Sequence, residues 1–254
     1  MLFFDSFLLK YILIPKLSKP CFYVLLQQLQ IRGQQIFYRG NVVHKEEKPT
    51  IEVSRNGPYI VKGLKILRSA KGVFIETRPT MTLCRCGGSA KMPFCDATHL
   101  KNGFSGEKKE ERVPDKVDIY RGKNITIHNN RGVCCHIGHC TENLPSVFRK
   151  GADPWIDPDG AKPEKISQVI RMCPSGALSY TINGELHKEY HHKPEILITT
   201  NCSYHVAGGI RLKDPDGSQP ETQDHYTLCG CGVSKNKPFC DGSHREAGSK
   251  KGTD

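Results

Sequence analysis

Residues 84–99 read Cys84-Arg85-Cys86-Gly87-Gly88-Ser89-Ala90-Lys91-Met92-Pro93-Phe94-Cys95-Asp96-Ala97-Thr98-His99, sixteen residues that include three cysteines and one histidine. Thiolate and imidazole groups are common ligands of zinc and iron, and four of them complete one ligand set. The spacing C-x-C-x8-C-x3-H returns when 145 is added to each residue number. The second set is Cys229, Cys231, Cys240 and His244. A repeat without an insertion predicts two equivalent metal sites.

The spacing also predicts local geometry. In a straight strand, Cys84 and Cys86 would point to the same face, but a metal needs their sulfur atoms to converge, so we expect a turn made flexible by Gly87. Cys95 and His99 are four residues apart, which predicts that one helical turn carries both. The pattern alone fits structural zinc and an iron-sulfur cluster with one histidine ligand equally well.

Both segments resemble the CDGSH iron-sulfur family of mitoNEET-like proteins, whose pattern is C-x-C-x2-[ST]-x3-P-x-C-D-G-[STA]-H. The second copy matches at every position, and the first has Ala97 where the family has glycine. This resemblance implies a 2Fe-2S cluster at each motif, bound by the three cysteines and the histidine. If the glycine position requires a positive φ, Ala97 costs about 1 kcal/mol and loosens the first site.

Each motif follows a short stretch of alternating polar and apolar residues. Residues 48–63 alternate around Asn56-Gly57, which is typical of a β-hairpin, and a matching stretch begins at Lys193. The sequence therefore predicts two small β units with their metal loops, at 48–106 and 193–249. We expect a monomer in which the repeats pack as a pseudo-symmetric pair within one chain, in place of a homodimer. The alternative is that each repeat packs separately against the middle unit. Cys202 in the second hairpin is interpreted as a free surface thiol.

A third unit, residues 115–190, lies between the repeats and contains its own cysteines. The run Cys134-Cys135-His136-Ile137-Gly138-His139-Cys140 is followed by Cys173-Pro174, and a Cys-Pro that closes a cysteine set is typical of bacterial ferredoxins. Ile166, Val169 and Ile170 have helical spacing after Pro163, which predicts a short helix leading to Cys173.

The middle unit resembles the divergent single-cluster 4Fe-4S domain, with pattern C-x-H-x-G-x-C followed by C-P-S-G-A-L. Cys134, Cys140 and Cys173 occupy its three cysteine positions. The resemblance implies a central 4Fe-4S or 3Fe-4S cluster, and either His136 or Cys135 is its fourth ligand. The predicted fold class is therefore small β-rich metal-cluster domains, two of CDGSH type, plus a central α+β ferredoxin-like domain.

Composition and charge indicate the compartment and the kinds of partner to expect. Ten of the twelve cysteines cluster at ligand spacing, which favours the cytoplasm or another reducing compartment over a disulfide framework. The net charge of +11 is offset by bound thiolates, and the basic residues form no stripe, which argues against nucleic acid as a partner. Residues 1–47 are expected to be a poorly ordered extension, with residues 1–31 as an alternative membrane anchor. Residues 250–254 are expected to be a disordered tail.

No nucleotide-binding loop or nucleophile motif is present in the sequence, so an enzyme is not the leading hypothesis. We expect an iron-sulfur protein that acts in electron transfer, cluster transfer or redox sensing, with redox or cluster-acceptor proteins as partners. Two alternatives remain open. In one, the central cluster binds a substrate at an iron without a protein ligand and acts as a Lewis acid. In the other, all three sites bind structural zinc in an interaction module.

Overall fold

The computed structural model describes residues 48–246, and the predicted N-terminal extension and C-terminal tail lie outside them. The described part is rich in strands, as predicted for small β-rich domains. The strands are β1 (Thr50–Val53), β2 (Tyr59–Lys62), β3 (Leu67–Arg68), β4 (Phe74–Ile75), β5 (Thr80–Leu83), β6 (Val117–Arg121), β7 (Thr126–Asn130), β8 (Leu178–Ile182), β9 (Glu185–His187), β10 (Glu195–Ile198), β11 (Ser203–Ala207), β12 (Arg211–Lys213) and β13 (His225–Cys229). The helices are α1 (His139–Asn143) and α2 (Pro163–Ile170), with single 3-10 turns at Thr98–Leu100, Arg131–Val133 and Ser243–Arg245.

The hairpin of each repeat follows from its alternating sequence. In β1 the side chains of Ile51 and Val53 are buried, while those of Thr50 and Glu52 are half-buried on the other face. β1 pairs with β2 in antiparallel register around the predicted Asn56-Gly57 turn. β10 and β11 form the equivalent hairpin in the second repeat. Alternation therefore decides which face of each hairpin enters the core.

The two repeats exchange a strand. β12 of the second repeat lies parallel to β1, with Leu212 opposite Ile51. β3 of the first repeat lies parallel to β10, with Leu67 opposite Ile196. The sheet orders are β12-β1-β2-β5 and β13-β11-β10-β3-β4. Both exchanged pairs follow the offset of 145, so the two repeats are related by a pseudo-two-fold axis.

Two tyrosines meet at the centre of this arrangement. Tyr59 and Tyr204 are fully buried, and their rings pack edge to face with centroids 6.0 Å apart. The Tyr59 hydroxyl donates to the carbonyl oxygens of Cys229 and Pro238, at 2.8 and 2.9 Å. Tyr204 does the same across the axis. A single hydrophobic core therefore contains residues from both repeats.

The central unit forms an antiparallel sheet in the order β6-β7-β8-β9. Helix α2 begins at Pro163 and buries Ile166, Val169 and Ile170, the three residues predicted from helical spacing. These residues belong to a second core, which also contains Phe148 and Tyr180. Helix α2 thus ends three residues before Cys173, whose amide donates to the carbonyl oxygen of Ile170 at 2.9 Å.

Within residues 48–246, no helix combines the length and apolar character needed to cross a lipid bilayer.

Candidate metal centres

The first motif lies on the loop after β5. Cys84 and Cys86 follow the strand, and their sulfur atoms are 3.7 Å apart. Cys95 is held next to β5, because its amide donates to the carbonyl oxygen of Thr82 at 3.0 Å. The sulfur atom of Cys95 lies 3.4 Å from Nδ1 of His99. The four predicted ligands thus form two close pairs, Cys-Cys and Cys-His.

The second motif repeats this geometry after β13. The sulfur atoms of Cys229 and Cys231 are 3.6 Å apart. The sulfur atom of Cys240 lies 3.4 Å from Nδ1 of His244. A tetrahedral metal with bonds of about 2.0 Å to nitrogen and about 2.3 Å to sulfur sets its ligand atoms about 3.3 to 3.8 Å apart. Each pair is therefore spaced as two ligands of one metal ion.

An aspartate next to the third cysteine holds each loop closed. Asp96 accepts the amide of Ala90 at 2.8 Å and the amide of Thr98 at 3.1 Å. These hydrogen bonds, with that of the Thr98 hydroxyl the largest contribution, lower the pKa of Asp96. Asp241 makes the equivalent bonds to Lys235 and Ser243 in the second loop. The carboxylate therefore fixes the ligand loop by accepting hydrogen bonds from backbone amides.

The prediction that one helical turn carries Cys95 and His99 is wrong in detail. His99 lies in the 3-10 turn Thr98–Leu100, and Cys95 precedes that turn. Ala97 separates them in the left-handed conformation, with φ of 70°. Gly242 adopts the same conformation, with φ of 83°, so this position does require a positive φ and Ala97 is strained.

The two cysteine turns meet on the pseudo-two-fold axis. Cys86 and Cys231 form an antiparallel bridge between the repeats. Gly87 has φ of 70° and Gly232 has φ of 83°, as expected for the predicted flexible turns. A Cβ atom on Gly87 would collide with the carbonyl oxygen of Cys231, and one on Gly232 would collide with that of Cys86. Glycine is therefore needed here for backbone conformation and for close contact between the two sites.

The central cysteines line a cavity of about 720 Å³. Cys140 enters it from α1, Cys173 from the segment after α2, and Cys134 from the loop before α1. The structure thus brings together the three cysteines that the sequence separates by up to 39 positions, from 134 to 173. Trp155 also lines the cavity, and its ring packs against Phe148 with ring centroids 6.0 Å apart.

Both candidates for the fourth central ligand line the same cavity. Cys135 is buried, and burial raises the pKa of its thiol to about 11, although the hydroxyl groups of Thr227 and Ser175 offset part of this rise. His136 has φ of 54°, and its carbonyl oxygen accepts Nη1 of Arg245 at 2.9 Å. The structure therefore brings both Cys135 and His136 to the central cavity.

Burial raises the pKa values of several thiols at these sites. The pKa of Cys84 rises to about 11 and that of Cys134 to about 12, in both cases mainly because burial disfavours the charged thiolate. In the pair Cys229 and Cys231, a shared hydrogen bond lowers the pKa of Cys229 to about 6 and raises that of Cys231. Buried thiols of this kind become thiolates when a bound cation replaces their protons.

Comparison with known families agrees with this geometry. The model for the iron-binding zinc finger of CDGSH type matches residues 56–100 and 201–245, and the model for the divergent 4Fe-4S mono-cluster domain matches residues 120–183. The uncharacterized protein YjdI of Escherichia coli K12 is 38% identical over 61 residues, which are 24% of this chain and 80% of that protein. YjdI of Escherichia coli O157:H7 matches to the same extent. No solved structure matches the chain.

The chain belongs to the CDGSH-type iron-binding family. Two of its CDGSH domains flank one divergent 4Fe-4S domain, which confirms the resemblance that the sequence motifs indicated. The families matched in all three units indicate that the protein binds iron-sulfur clusters.

The two CDGSH sites differ in exposure. Cys240 is 1% exposed and His244 is 7% exposed, whereas Cys95 and His99 in the first repeat are half-buried. The central domain causes the difference, because the His136 side chain covers the second loop at Gly242. A Cβ atom on Gly242 would lie only 2.8 Å from Cβ of His136. The first CDGSH site faces solvent, and the second is enclosed between the first repeat and the central domain.

Charged side chains also distinguish the two CDGSH sites, and the sequence patterns did not identify them. Lys237, 5% exposed, lowers the pKa of Cys229 through its positive charge, and Met92 occupies the equivalent position in the first repeat. Arg85 is buried within the first motif and donates to the carbonyl oxygens of Ser54 and Gly106, each at 3.0 Å. In the sequence, the difference between Lys237 and Met92 is visible when the two repeats are aligned at the offset of 145.

The interpretation of Cys202 as a surface thiol is wrong. This residue is 5% exposed and lies in the turn between β10 and β11 with φ of 60°. Its amide donates to the carbonyl oxygen of Thr199 at 3.0 Å. The hairpin turn directs the thiol inward. The first repeat could not predict this direction, because the equivalent residue there is Gly57, which has no side chain.

Proposed function

We propose that this protein holds three iron-sulfur clusters in a row and passes electrons between its central cluster and the exposed CDGSH site. The proposed clusters are two of 2Fe-2S type, in the CDGSH repeats, and one 4Fe-4S or 3Fe-4S cluster in a ferredoxin-like α+β central domain. The observation that carries the proposal is contact between consecutive sites. The bridge between Cys86 and Cys231 joins the two CDGSH sites, and His136 packs on Gly242 between the second site and the central cavity.

The ligand geometry supports a two-iron cluster in each repeat. Two irons need two pairs of ligands, and each motif offers one Cys-Cys pair and one Cys-His pair at 3.4 to 3.7 Å. The cluster would supply one-electron redox chemistry. The neutral imidazole makes it less negative than an all-cysteine cluster, which raises the reduction potential.

In the central cavity, Cys134, Cys140 and Cys173 would hold the third cluster. His136 is the proposed fourth ligand, and Cys135 is the alternative. Cys135 lies at the boundary between the central unit and the second repeat, because the hydroxyls of Ser175 from the former and Thr227 from the latter both act on its thiol. This position supports a role for Cys135 between the central cluster and the second CDGSH cluster.

The exposure of the sites supports the first CDGSH site as the one that exchanges electrons or clusters with other proteins. The half-buried ligands Cys95 and His99 let a redox or cluster-acceptor protein approach the first CDGSH cluster. The enclosed second cluster would serve as the internal connection. Cysteines at ligand spacing support residence in the cytoplasm or another reducing compartment.

The test combines metal analysis with spin resonance on anaerobically purified full-length protein. We expect about seven or eight iron atoms with matching acid-labile sulfide, and a red-brown colour. After mixing with a limiting amount of dithionite, rapidly frozen samples of the wild type should reach their final distribution of reduced clusters in the first time point. Cys240→Ser removes the middle cluster and should leave the reduced signal where the electron first enters.

Cys95→Ser is the matched control, because it removes the terminal cluster but leaves the central and second CDGSH clusters in contact. Equilibration between those two clusters should then stay as fast as in the wild type. A colourless protein loaded with zinc would contradict cluster binding. Equally fast equilibration in Cys240→Ser and the wild type would contradict the proposed route.

A further inference from the structure

A group of polar side chains outside the three cluster sites lies where the central domain joins the second repeat. Asp224 immediately precedes β13, and His225 is the first residue of that strand. His192 lies in the connector between β9 and β10. One ligand atom from each of these three residues lies within 4.8 Å of the others.

Asp224 anchors the connector to the second repeat. Its Oδ1 accepts the amide of His192 at 3.1 Å, and its Oδ2 accepts the amide of Tyr190 at 3.2 Å. Nδ1 of His192 lies 2.6 Å from the same Oδ2. These contacts account for the positions of Asp224 and His192 without any ligand, because they hold the connector loop against a buried carboxylate.

His225 is not explained in this way. The residue is 3% exposed, and neither of its ring nitrogens makes a hydrogen bond among the described residues, although Nδ1 lies 3.5 Å from Oδ2 of Asp224. Its ring stacks on Tyr190 with centroids 5.2 Å apart, which fixes the ring plane. A buried imidazole without a partner loses the hydrogen bonds it makes to water, at a cost of about 1 to 3 kcal/mol. A bound ion would remove this cost.

We infer that His192, Asp224 and His225 form a binding site for a divalent transition-metal ion, separate from the three iron-sulfur sites. Two imidazole nitrogens and one carboxylate are a ligand set typical of zinc and non-haem iron. Nδ1 of His225 lies 3.5 Å from Oδ2 of Asp224, close to the spacing of about 3.3 Å between two ligands of one tetrahedral ion. His192 and Asp224 need to separate by less than about 1 Å to reach the same spacing.

The exposure of the three ligands is suited to metal entry. The side chain of His192 is 42% exposed, whereas those of Asp224 and His225 are 8% and 4% exposed. The ion would therefore enter from the His192 side and join the connector to β13. Water can complete the coordination on the open side, as at other sites with three protein ligands. Binding of the ion stabilises the junction between the central domain and the second repeat.

The experiment uses the full chain with its iron-sulfur clusters, freed of loose metal by a chelating resin under anaerobic conditions. The protein is incubated with Zn²⁺, or with Mg²⁺ as a hard-cation control, then desalted and analysed for zinc and iron. We expect about one zinc ion per chain beyond the starting content, no magnesium, and an unchanged visible spectrum and iron content. The melting temperature should rise on zinc addition, because the metal binds only the folded state.

Two variants each remove one proposed ligand, and they differ in their effect on the surrounding packing. His225→Phe keeps a ring stacked on Tyr190 but has no nitrogen, and His192→Ala removes an exposed ligand. Both should lose the extra zinc ion and the rise in melting temperature. His191→Asn is the matched control, because His191 is an exposed neighbour with φ of 57°, a conformation that asparagine tolerates, and it should bind zinc like the wild type.

Three results would overturn the inference. The first is no zinc uptake by the wild type. The second is equal uptake by His225→Phe, His192→Ala and the wild type. The third is uptake matched by loss of iron, which would place the zinc in the cluster sites.

Discussion

The Ala97→Gly substitution tests how the backbone of the first CDGSH loop limits its cluster. Ala97 has φ of 70° and ψ of 10°, and the equivalent Gly242 has φ of 83° and ψ of −2°. The two loops therefore share one conformation, which an L-residue adopts at a cost of about 1 to 2 kcal/mol relative to glycine. Ala97 is exposed, so its methyl group gains little packing to offset that strain.

We expect Ala97→Gly to stabilise the closed first loop by about 1 kcal/mol, after allowing for the greater chain entropy of glycine in the unfolded state. About 1 kcal/mol corresponds to roughly a fivefold slower release of the first cluster, if the loop opens before the cluster leaves. The reverse change, Gly242→Ala, should cost more than Ala97 does. It adds the same strain and also places a Cβ atom 2.8 Å from the His136 side chain.

The assay follows the decay of visible absorbance after addition of an iron chelator, with a thermal melt of the same samples. Ala90→Gly is the matched control, because Ala90 is an exposed alanine of the same loop without a positive φ. It should leave the decay unchanged or speed it slightly. Equal decay rates for Ala97→Gly and Ala90→Gly would refute the argument that the left-handed conformation weakens the first site.

Two further predictions concern the tyrosines on the pseudo-two-fold axis and the histidine ligands. Tyr204→Phe removes hydrogen bonds to the carbonyl oxygens of Cys84 and Pro93, so it should destabilise the protein by about 1 to 3 kcal/mol in denaturant titrations. It should also speed cluster loss mainly from the first repeat. Preferential loss from the second repeat, which contains Tyr204, would contradict this. Acidification from about pH 8 to about pH 5 should release clusters in two phases, the exposed first site before the second, because burial lowers the pKa of His244 and keeps its ring neutral to lower pH. Stability falls as pH falls because the unfolded histidine takes up protons that the folded one does not. A single phase or a rate independent of pH would count against it.

The repeat itself made much of the structure predictable. The hairpin around Asn56-Gly57 and the helix after Pro163 follow from local patterns that tertiary contacts do not override. The offset of 145 also made the matching geometry of the two cysteine-histidine groups predictable. In each case the signal is periodic or repeated, so a single sequence contains more than one observation of the same feature.

Features set by contacts between distant segments were not predictable. The strand exchange between β3 and β12 depends on two-residue and three-residue strands that carry almost no pattern of their own. The burial of Cys202 and the unpartnered ring of His225 depend on turns and stacking that spacing does not encode. The helical turn predicted at Cys95 is absent because Ala97 adopts the left-handed conformation. Alanine disfavours this conformation, so residue propensity alone would not predict it.

Duplication within one chain explains why the two CDGSH sites can differ. In a symmetric homodimer, any substitution near one site is copied to the other, so both sites keep the same exposure and charge. Here Lys237 lies beside the second site and Met92 beside the first. A buried positive charge stabilises the added electron of a reduced cluster, so the second site should have the higher potential of the two, by this contribution. Electron transfer from the exposed first site to the enclosed second site would then run from lower to higher potential, so the first site would be the entry point for electrons from a partner.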